Sequence, residues 1–191
     1  KRAVMPSSFA AIGYGWGDAR PASRDETHWS NPDNLKDNTA YTRSKAIAEK
    51  AAWDYVKGDG QGLELATINP VAVLGPAMSG DVSASLELVT QPMENKVPAF
   101  PKLTFGIVDV RDVALAHVAA MEKPEAAGER FIVGDKVLSF TEIGDVLREA
   151  YPDRKLPKGE LPNWLVRMLT VINPTLKQIV LGELARGEDG G

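Results

Sequence analysis

The run that decides the architecture spans residues 41–70, Tyr41-Thr42-Arg43-Ser44-Lys45-Ala46-Ile47-Ala48-Glu49-Lys50-Ala51-Ala52-Trp53-Asp54-Tyr55-Val56-Lys57-Gly58-Asp59-Gly60, then Gln61-Gly62-Leu63-Glu64-Leu65-Ala66-Thr67-Ile68-Asn69-Pro70. Ile47, Ala48, Ala51, Ala52 and Tyr55 recur at helical spacing, which predicts a helix over 41–57 stopped by Gly58-Asp59-Gly60. The short apolar run from Leu63 to Ile68, closed by Asn69-Pro70, predicts a strand. A second such run, Arg2-Ala3-Val4-Met5, precedes the helix and ends at Pro6-Ser7-Ser8. Strand, helix and strand in that order, with strands apolar on both faces, predict an α/β fold with a buried parallel sheet.

Outward from this unit the pattern loosens. Residues 9–38 are rich in Gly, Pro, Asp and Ser, and so long a loop in a compact domain is usually functional. Beyond Pro70, Val71 to Leu74 stay apolar until Gly75-Pro76 turns the chain. A short helix is expected over 84–89, an irregular stretch with three prolines over 91–105, and a strand over 105–108. A helix over 109–121 would place Val113, Ala114, His117 and Val118 on one face, followed by a short strand over 131–133. Ser139 and Glu142 form an S-x-x-E capping box opening a helix that carries Ile143, Val146 and Leu147. Two further helical patterns follow Pro162, split by Asn173-Pro174. The chain starts at Lys1 and runs at once into strand-like sequence, which reads as a piece cut from something longer.

Composition narrows the function classes. The chain has 191 residues, 43% hydrophobic and 25% charged, with a net charge of −4, values ordinary for a soluble globular protein and unlike a disordered one. The mild acidity, without a basic cluster, argues against nucleic acid as a partner. No run reaches the roughly 18 apolar residues of a membrane helix, and polar Ser7 and Ser8 interrupt any signal-like start. With no cysteine, a disulfide framework, a thiolate nucleophile and a Cys-based metal site are excluded, and two histidines argue against a His-rich one, so no metal is expected and the cytoplasm is the default compartment.

Tyr41 and Lys45 are the leading candidates for chemistry. Positions i and i+4 of a helix lie on the same face, and a nearby ammonium favours a phenolate, which makes such a pair a workable general acid/base. Taken alone, the spacing equally describes a surface tyrosine and a surface lysine. Ser7-Ser8 strengthens it, because ligands of parallel sheets bind at the carboxyl ends of the strands. A serine hydroxyl emerging there can hydrogen-bond a substrate carbonyl, although a serine pair also simply ends strands. Asn69-Pro70-Val71 supplies a second backbone edge at the same rim.

Five segments in order, R-A-V-M-P-S-S-F-A-A (2–11), D-E-T-H-W (25–29), Y-T-R-S-K-A-I-A-E-K-A-A-W (41–53), I-N-P-V-A-V-L-G-P (68–76) and V-D-V-R-D-V-A-L-A-H (108–117), resemble the extended short-chain dehydrogenase/reductases. Within these the dihydroflavonol-reductase-like ketone and aldehyde reductases are most similar, over about residues 1–155. The resemblance implies the C-terminal part of a Rossmann-like doubly wound parallel sheet plus a smaller mixed α/β substrate-binding region. Residues 1–75 would be the second half of the NAD(P)-binding domain and 76–191 mainly the substrate-binding region, with 105–133 returning to the sheet. Ser8 would orient the carbonyl, Tyr41 would donate the proton, and Lys45 would support Tyr41 and hold the nicotinamide ribose. Ser7, Pro70 and Val71 would join Tyr41 and Lys45 around the cofactor, NADP ahead of NAD, while Phe9 would join Ser8 and Tyr41 around the substrate. Asp109 and Asp112 match a segment that is mainly structural. The implied reaction is hydride transfer to or from a small carbonyl or alcohol, by a monomer or homodimer.

The family's glycine-rich phosphate loop is expected upstream of Lys1, and its L-G-W-like C-terminal motif is missing after Leu184-Ala185. Gly13-Tyr14-Gly15-Trp16-Gly17 follows a strand but runs into Asp18 and Pro21, so it reads as a flexible active-site loop and not as a phosphate cradle. His28 reads as a surface loop residue and His117 as a satisfied core residue. Phe100-Pro101 and the Trp164 helix are either pocket borders or ordinary packing. Two alternatives stand beside the reductase. One is a nucleotide-sugar epimerase or dehydratase of the same superfamily, using Lys155, Lys158 and Arg167 for a diphosphate. The other is a non-catalytic remnant that lacks cofactor binding.

Overall fold

The computed structural model describes residues 1–162 apart from Arg20, Ser79, Asp81 and Val82. The expected helices beyond Pro162, with Trp164 and Arg167, lie outside the described residues. The chain divides into two compact units: Lys1–Val71 with Val108–Asp135, and Ala72–Ile107 with the described residues from Lys136 onward.

The first unit is built on three parallel strands. β1 (Arg2–Pro6), β2 (Glu64–Pro70) and β6 (Arg130–Val133) are hydrogen-bonded in the order β1-β2-β6, with Val4 opposite Ala66 and Ile68 opposite Phe131. Side chains of a strand alternate between faces, and β2 uses both. Ala66 and Ile68 pack with Ala120, Ala126, Val4 and Phe131, beneath helix α3 (Val110–Glu122). Thr67 and Asn69 face the other way, toward helix α1 (Ala40–Lys57). A helix on each face of a parallel sheet is the doubly wound arrangement. β1 is only half-buried, contrary to the expected buried strand, because among the described residues it pairs with β2 alone.

α1 begins where its sequence directs. Thr39 caps it, accepting from the Thr42 N–H at 3.2 Å while its own N–H donates to Thr42 Oγ1 at 2.8 Å. Its orientation differs from the expected one. The buried positions are Thr42, Ala46 and Glu49, whereas Ile47 and Tyr55 are 52% and 56% exposed. The apolar stripe that predicts the helix therefore faces outward, because the inward face is bonded to the sheet through Glu49. α3 is similarly offset from its expected face: Val113 and Ala116 pack on the core, while Val118 is exposed. Asp109 caps it, accepting from the Arg111 N–H and Nε, both at 2.8 Å.

In the second unit β3 (Ala72–Leu74), β5 (Thr104–Asp109) and β7 (Lys136–Ser139) form a sheet in the order β3-β5-β7, with β5 and β7 antiparallel. Helices α2 (Glu87–Met93) and α4 (Phe140–Ala150) complete it, with a short parallel pair, β4 (Phe100–Pro101) and β8 (Glu160–Leu161). The α4 capping box forms as the sequence predicts, Ser139 Oγ accepting from the Glu142 N–H at 3.1 Å. α2 starts three residues later than expected and reaches into the stretch read as irregular; the Ser83 carbonyl closes the turn before it and Pro92 sits in its last turn. β7, β4 and β8 are too short to show a period of two.

Phe100 is fully buried and meets Phe140 edge-on at 5.2 Å between ring centroids, which makes it core packing. A Cβ on Gly144 of α4 would lie 2.4 Å from the Phe100 ring. Alanine normally improves a helix by up to about 1 kcal/mol over glycine, but overpacking a core costs about 1–3 kcal/mol. Gly144→Ala is therefore expected to lower the midpoint of urea unfolding of the second unit; an unchanged or raised midpoint would show that the Phe100 ring yields.

Candidate active site

The expected residues gather on the first unit. Tyr41 and Lys45 lie one turn apart on α1, with Lys45 Nζ 5.7 Å from the centroid of the Tyr41 ring. Tyr41 is 55% exposed and Lys45 half-buried, so both are open to a ligand. Ser8 lies two residues beyond Pro6, the last residue of β1. It is extended, with φ −162° and ψ 151°, and caps the 3-10 turn Phe9–Ala11 through a bond from the Ala10 N–H to Ser8 Oγ at 3.1 Å. That turn packs against α1. Phe9 is half-buried there; β2 also meets this turn, and it ends at Pro70 with Val71 following.

Two expected cofactor residues are committed elsewhere through part of their polar groups. The Ser7 hydroxyl is buried and donates to Glu49 Oε2, and the Ser7 N–H donates to the Ile68 carbonyl at 2.8 Å. The Val71 N–H donates to the Val133 carbonyl at 3.1 Å, which leaves Val71 its carbonyl and side chain.

Beneath this surface lies a polar cluster that the motif search passed over. Glu49 is 0% exposed. Its Oε1 accepts from Arg130 Nε at 2.7 Å and lies 3.1 Å from the Thr67 hydroxyl, and its Oε2 accepts from Asn69 Nδ2 at 2.6 Å and from Ser7. Burial alone would raise the Glu49 carboxyl, but the hydrogen bond and charge of Arg130 and the bonds from Ser7 and Asn69 outweigh it and hold the group below its ordinary 4.5. Arg130 in turn donates through Nη1 to the carbonyls of Glu26 and His28, at 2.6 and 2.7 Å, and stacks 3.7 Å from the Trp29 ring centroid. The signal was present as a third residue in the series Tyr41, Lys45, Glu49, but charge at helical spacing usually marks a solvated face.

The 25–29 loop is a folded turn. Hydrogen bonds from the Thr27 hydroxyl and N–H, together with His28, hold the Asp25 carboxyl down at about 2, and His28 Nδ1 lies 2.8 Å from Asp25 Oδ1. His117 is half-buried and satisfied within α3, Nδ1 to the Val113 carbonyl at 2.8 Å. The 13–17 segment, expected to be flexible, is pinned instead. Asp37 Oδ2 accepts from the N–H groups of Trp16 and Gly17 at 3.3 and 3.4 Å. Gly15 has φ +78°, and a Cβ there would lie 2.1 Å from the Asn31 carbonyl oxygen.

Compared with family models, residues 1–134 match the NAD dependent epimerase/dehydratase family. The chain belongs to that family. Among the family's curated proteins it is 37% identical to a cinnamoyl-CoA reductase of Medicago truncatula over 160 residues, covering 83% of this chain and 48% of that protein. It is 36% identical to a putative NADPH-dependent methylglyoxal reductase of Candida albicans over 174 residues, covering 84% of this chain and 51% of that protein. The crystal structure of Gre2 from Candida albicans in complex with NADPH superposes with a TM-score of 0.70 at 31% identity, over 84% of this chain and 52% of that one. The chain spans about half the length of the relatives it matches. The donor set fits the nicotinamide end of the family's dinucleotide: an exposed phenol and, one turn on, the ammonium of half-buried Lys45, on a helix that packs on the turn following one parallel strand and on a second strand. No described helix is long and apolar enough to cross a membrane.

A carboxyl held below its ordinary value stabilises the fold above 4.5, and that contribution is lost as pH falls through the lower folded value. Breaking a buried ion pair costs about 3–5 kcal/mol. Glu49→Gln is thus expected to destabilise the chain by that order at pH 7, with the gap from wild type closing below pH 4.5 in urea titrations. A gap that stays constant down to pH 3 would show that the charge of Glu49 does not contribute.

Proposed function

We propose that this chain carries the proton-handling side of an NAD(P)-dependent reductase acting on a ketone or aldehyde. The observation that carries the reading is the placement of Tyr41 and Lys45 on one exposed turn of α1, against which the Ser8-capped turn packs. Ser8 Oγ already accepts a bond from Ala10, which leaves its proton to donate to a carbonyl oxygen. Tyr41 then gives its hydroxyl proton to that oxygen as the carbon is reduced, and takes one back from water afterward. Lys45 places a positive charge beside the phenolate so formed and donates to a ribose hydroxyl of the cofactor. The bound nicotinamide supplies the hydride and leaves oxidised, which balances the conversion of carbonyl to alcohol.

Pro70 and Val71 line the nicotinamide in this reading, with Ser7 contributing through the end of β1, and Phe9 borders the substrate. NADP is preferred to NAD, in keeping with the NADPH-dependent relative and the NADPH-bound neighbour. Residues 1–75 form the second half of the NAD(P)-binding domain, and 76–191 mainly a substrate-binding region from which 105–133 return to the sheet. The protein works in the cytoplasm on a small carbonyl or alcohol, as a monomer or homodimer.

Tyr41→Phe tests the acid role. Positioned acids contribute about 10²–10⁴-fold, so turnover should fall at least about 10²-fold while cofactor affinity holds; unchanged turnover would remove Tyr41 from the reaction.

A further inference from the structure

We propose that Glu49 is a positioning residue for the proposed reductase site, holding Ser8 and the α1 helix in the mutual register that proton transfer needs. The inference rests on the reading of Ser8, Tyr41 and Lys45 given above.

Two observations carry it. The first is where the Glu49 bonds lead. Asn69 Nδ2 donates both to Glu49 Oε2, at 2.6 Å, and to the Ser8 carbonyl, at 3.1 Å. The Ser7 hydroxyl donates to the same Oε2. The main chain of Ser8 is thereby tied to a carboxylate on α1 through its preceding residue and through its own carbonyl. The second is what α1 lacks. Its exposed Ile47 and Tyr55 cannot fix its rotation on the sheet, and its buried face consists of Thr42, the small Ala46 and Glu49. Apolar contacts slide easily because they are non-directional, whereas the bonds at Glu49 hold only in one register. Glu49 lies one turn beyond Lys45 and two beyond Tyr41, so a shift there is passed directly to both. Arg130 extends the same constraint to the 25–29 loop through Glu26, His28 and Trp29.

The test uses the full chain, with NADPH and a carbonyl substrate that it turns over. Misplacement by about 1 Å can cost on the order of 10²-fold in rate, so Glu49→Gln is expected to lower kcat by about 10- to 100-fold per folded molecule. KM and the cofactor Kd should move by less than about threefold. In the Tyr41→Phe background, Glu49→Gln should add little further loss, because both act on one proton transfer. An unchanged kcat, or losses that multiply fully, would overturn the proposal. If Glu49→Gln does not fold, Arg130→Lys is judged by the same criteria.

A second readout needs no turnover. Amide exchange at Ala10 and Ala11, whose N–H groups bond to Ser8, is expected to quicken in Glu49→Gln at least about tenfold more than exchange of the β2 amides, which reports the general loss of stability; equal quickening of the two would overturn the positioning role. Unchanged exchange at Ala10 and Ala11 overturns the positioning role whatever the turnover. If Tyr41→Phe leaves turnover intact, the reductase reading falls separately, and exchange alone decides whether Glu49 positions Ser8.

Discussion

A carboxylate cannot be carried out of water and left bare, and Glu49 is wholly buried. The effective penalty is several kcal/mol per ion, and it is offset only by good geometry and by hydrogen bonds to the remaining lone pairs. This requirement draws on all three strands of the first unit's sheet. Ser7, just past the end of β1, supplies its hydroxyl, β2 supplies Thr67 and Asn69, and β6 supplies Arg130. Because the partners are spread over three strands, the sheet must be assembled before the charge is satisfied, and α1 can dock in only one register. The same partners explain why β2 carries Thr67 and Asn69 at 0% exposure inside an otherwise apolar strand.

Much of the first unit was legible because it is made of long, periodic elements. The helix over 41–57 and the strand over 63–68 match α1 and β2 to within two residues at each end. The face of α1 was not legible. Periodicity reports that a stripe exists, and the usual inference that the stripe points inward rests on hydrophobic burial alone. Here Ile47 and Tyr55 point outward because a buried ion pair holds the opposite side, and that pair joins positions 49 and 130, too far apart in sequence for any local pattern to show. The Tyr41–Lys45 pair was legible from one helical turn; its support was not.

The second unit was less readable for a related reason. β4 and β8 have two residues each and β7 has four, lengths at which alternation carries no information. What decides them is packing around Phe100, Phe105 and Phe140, whose rings meet edge-on at 5.2 and 5.8 Å. The one helix there read closely from sequence, α4, announces itself by a side-chain capping box and not by its apolar face. Val146, counted with the apolar face in the sequence, is 59% exposed, while Phe140, Ile143, Gly144 and Leu147 are buried. Local hydrogen-bond chemistry thus transferred from sequence to structure better than hydrophobic periodicity did.

The 13–17 segment applies the same physics to binding. Backbone N–H groups attract a phosphate when they converge on open space, usually at the start of a helix. At Trp16 and Gly17 these groups already face the carboxylate of Asp37, which is 4% exposed. An incoming phosphate would have to displace that carboxylate and endure its repulsion at close range in a buried setting. Only a three-residue 3-10 turn, Gly17–Ala19, follows, so there is no helix dipole to compensate. Glycine spacing therefore records a tight approach to the Asn31 carbonyl and not a ligand cradle. In the proposed reading, where Lys45 would meet the ribose, the pyrophosphate of the dinucleotide would have to be held by groups other than the 13–17 segment.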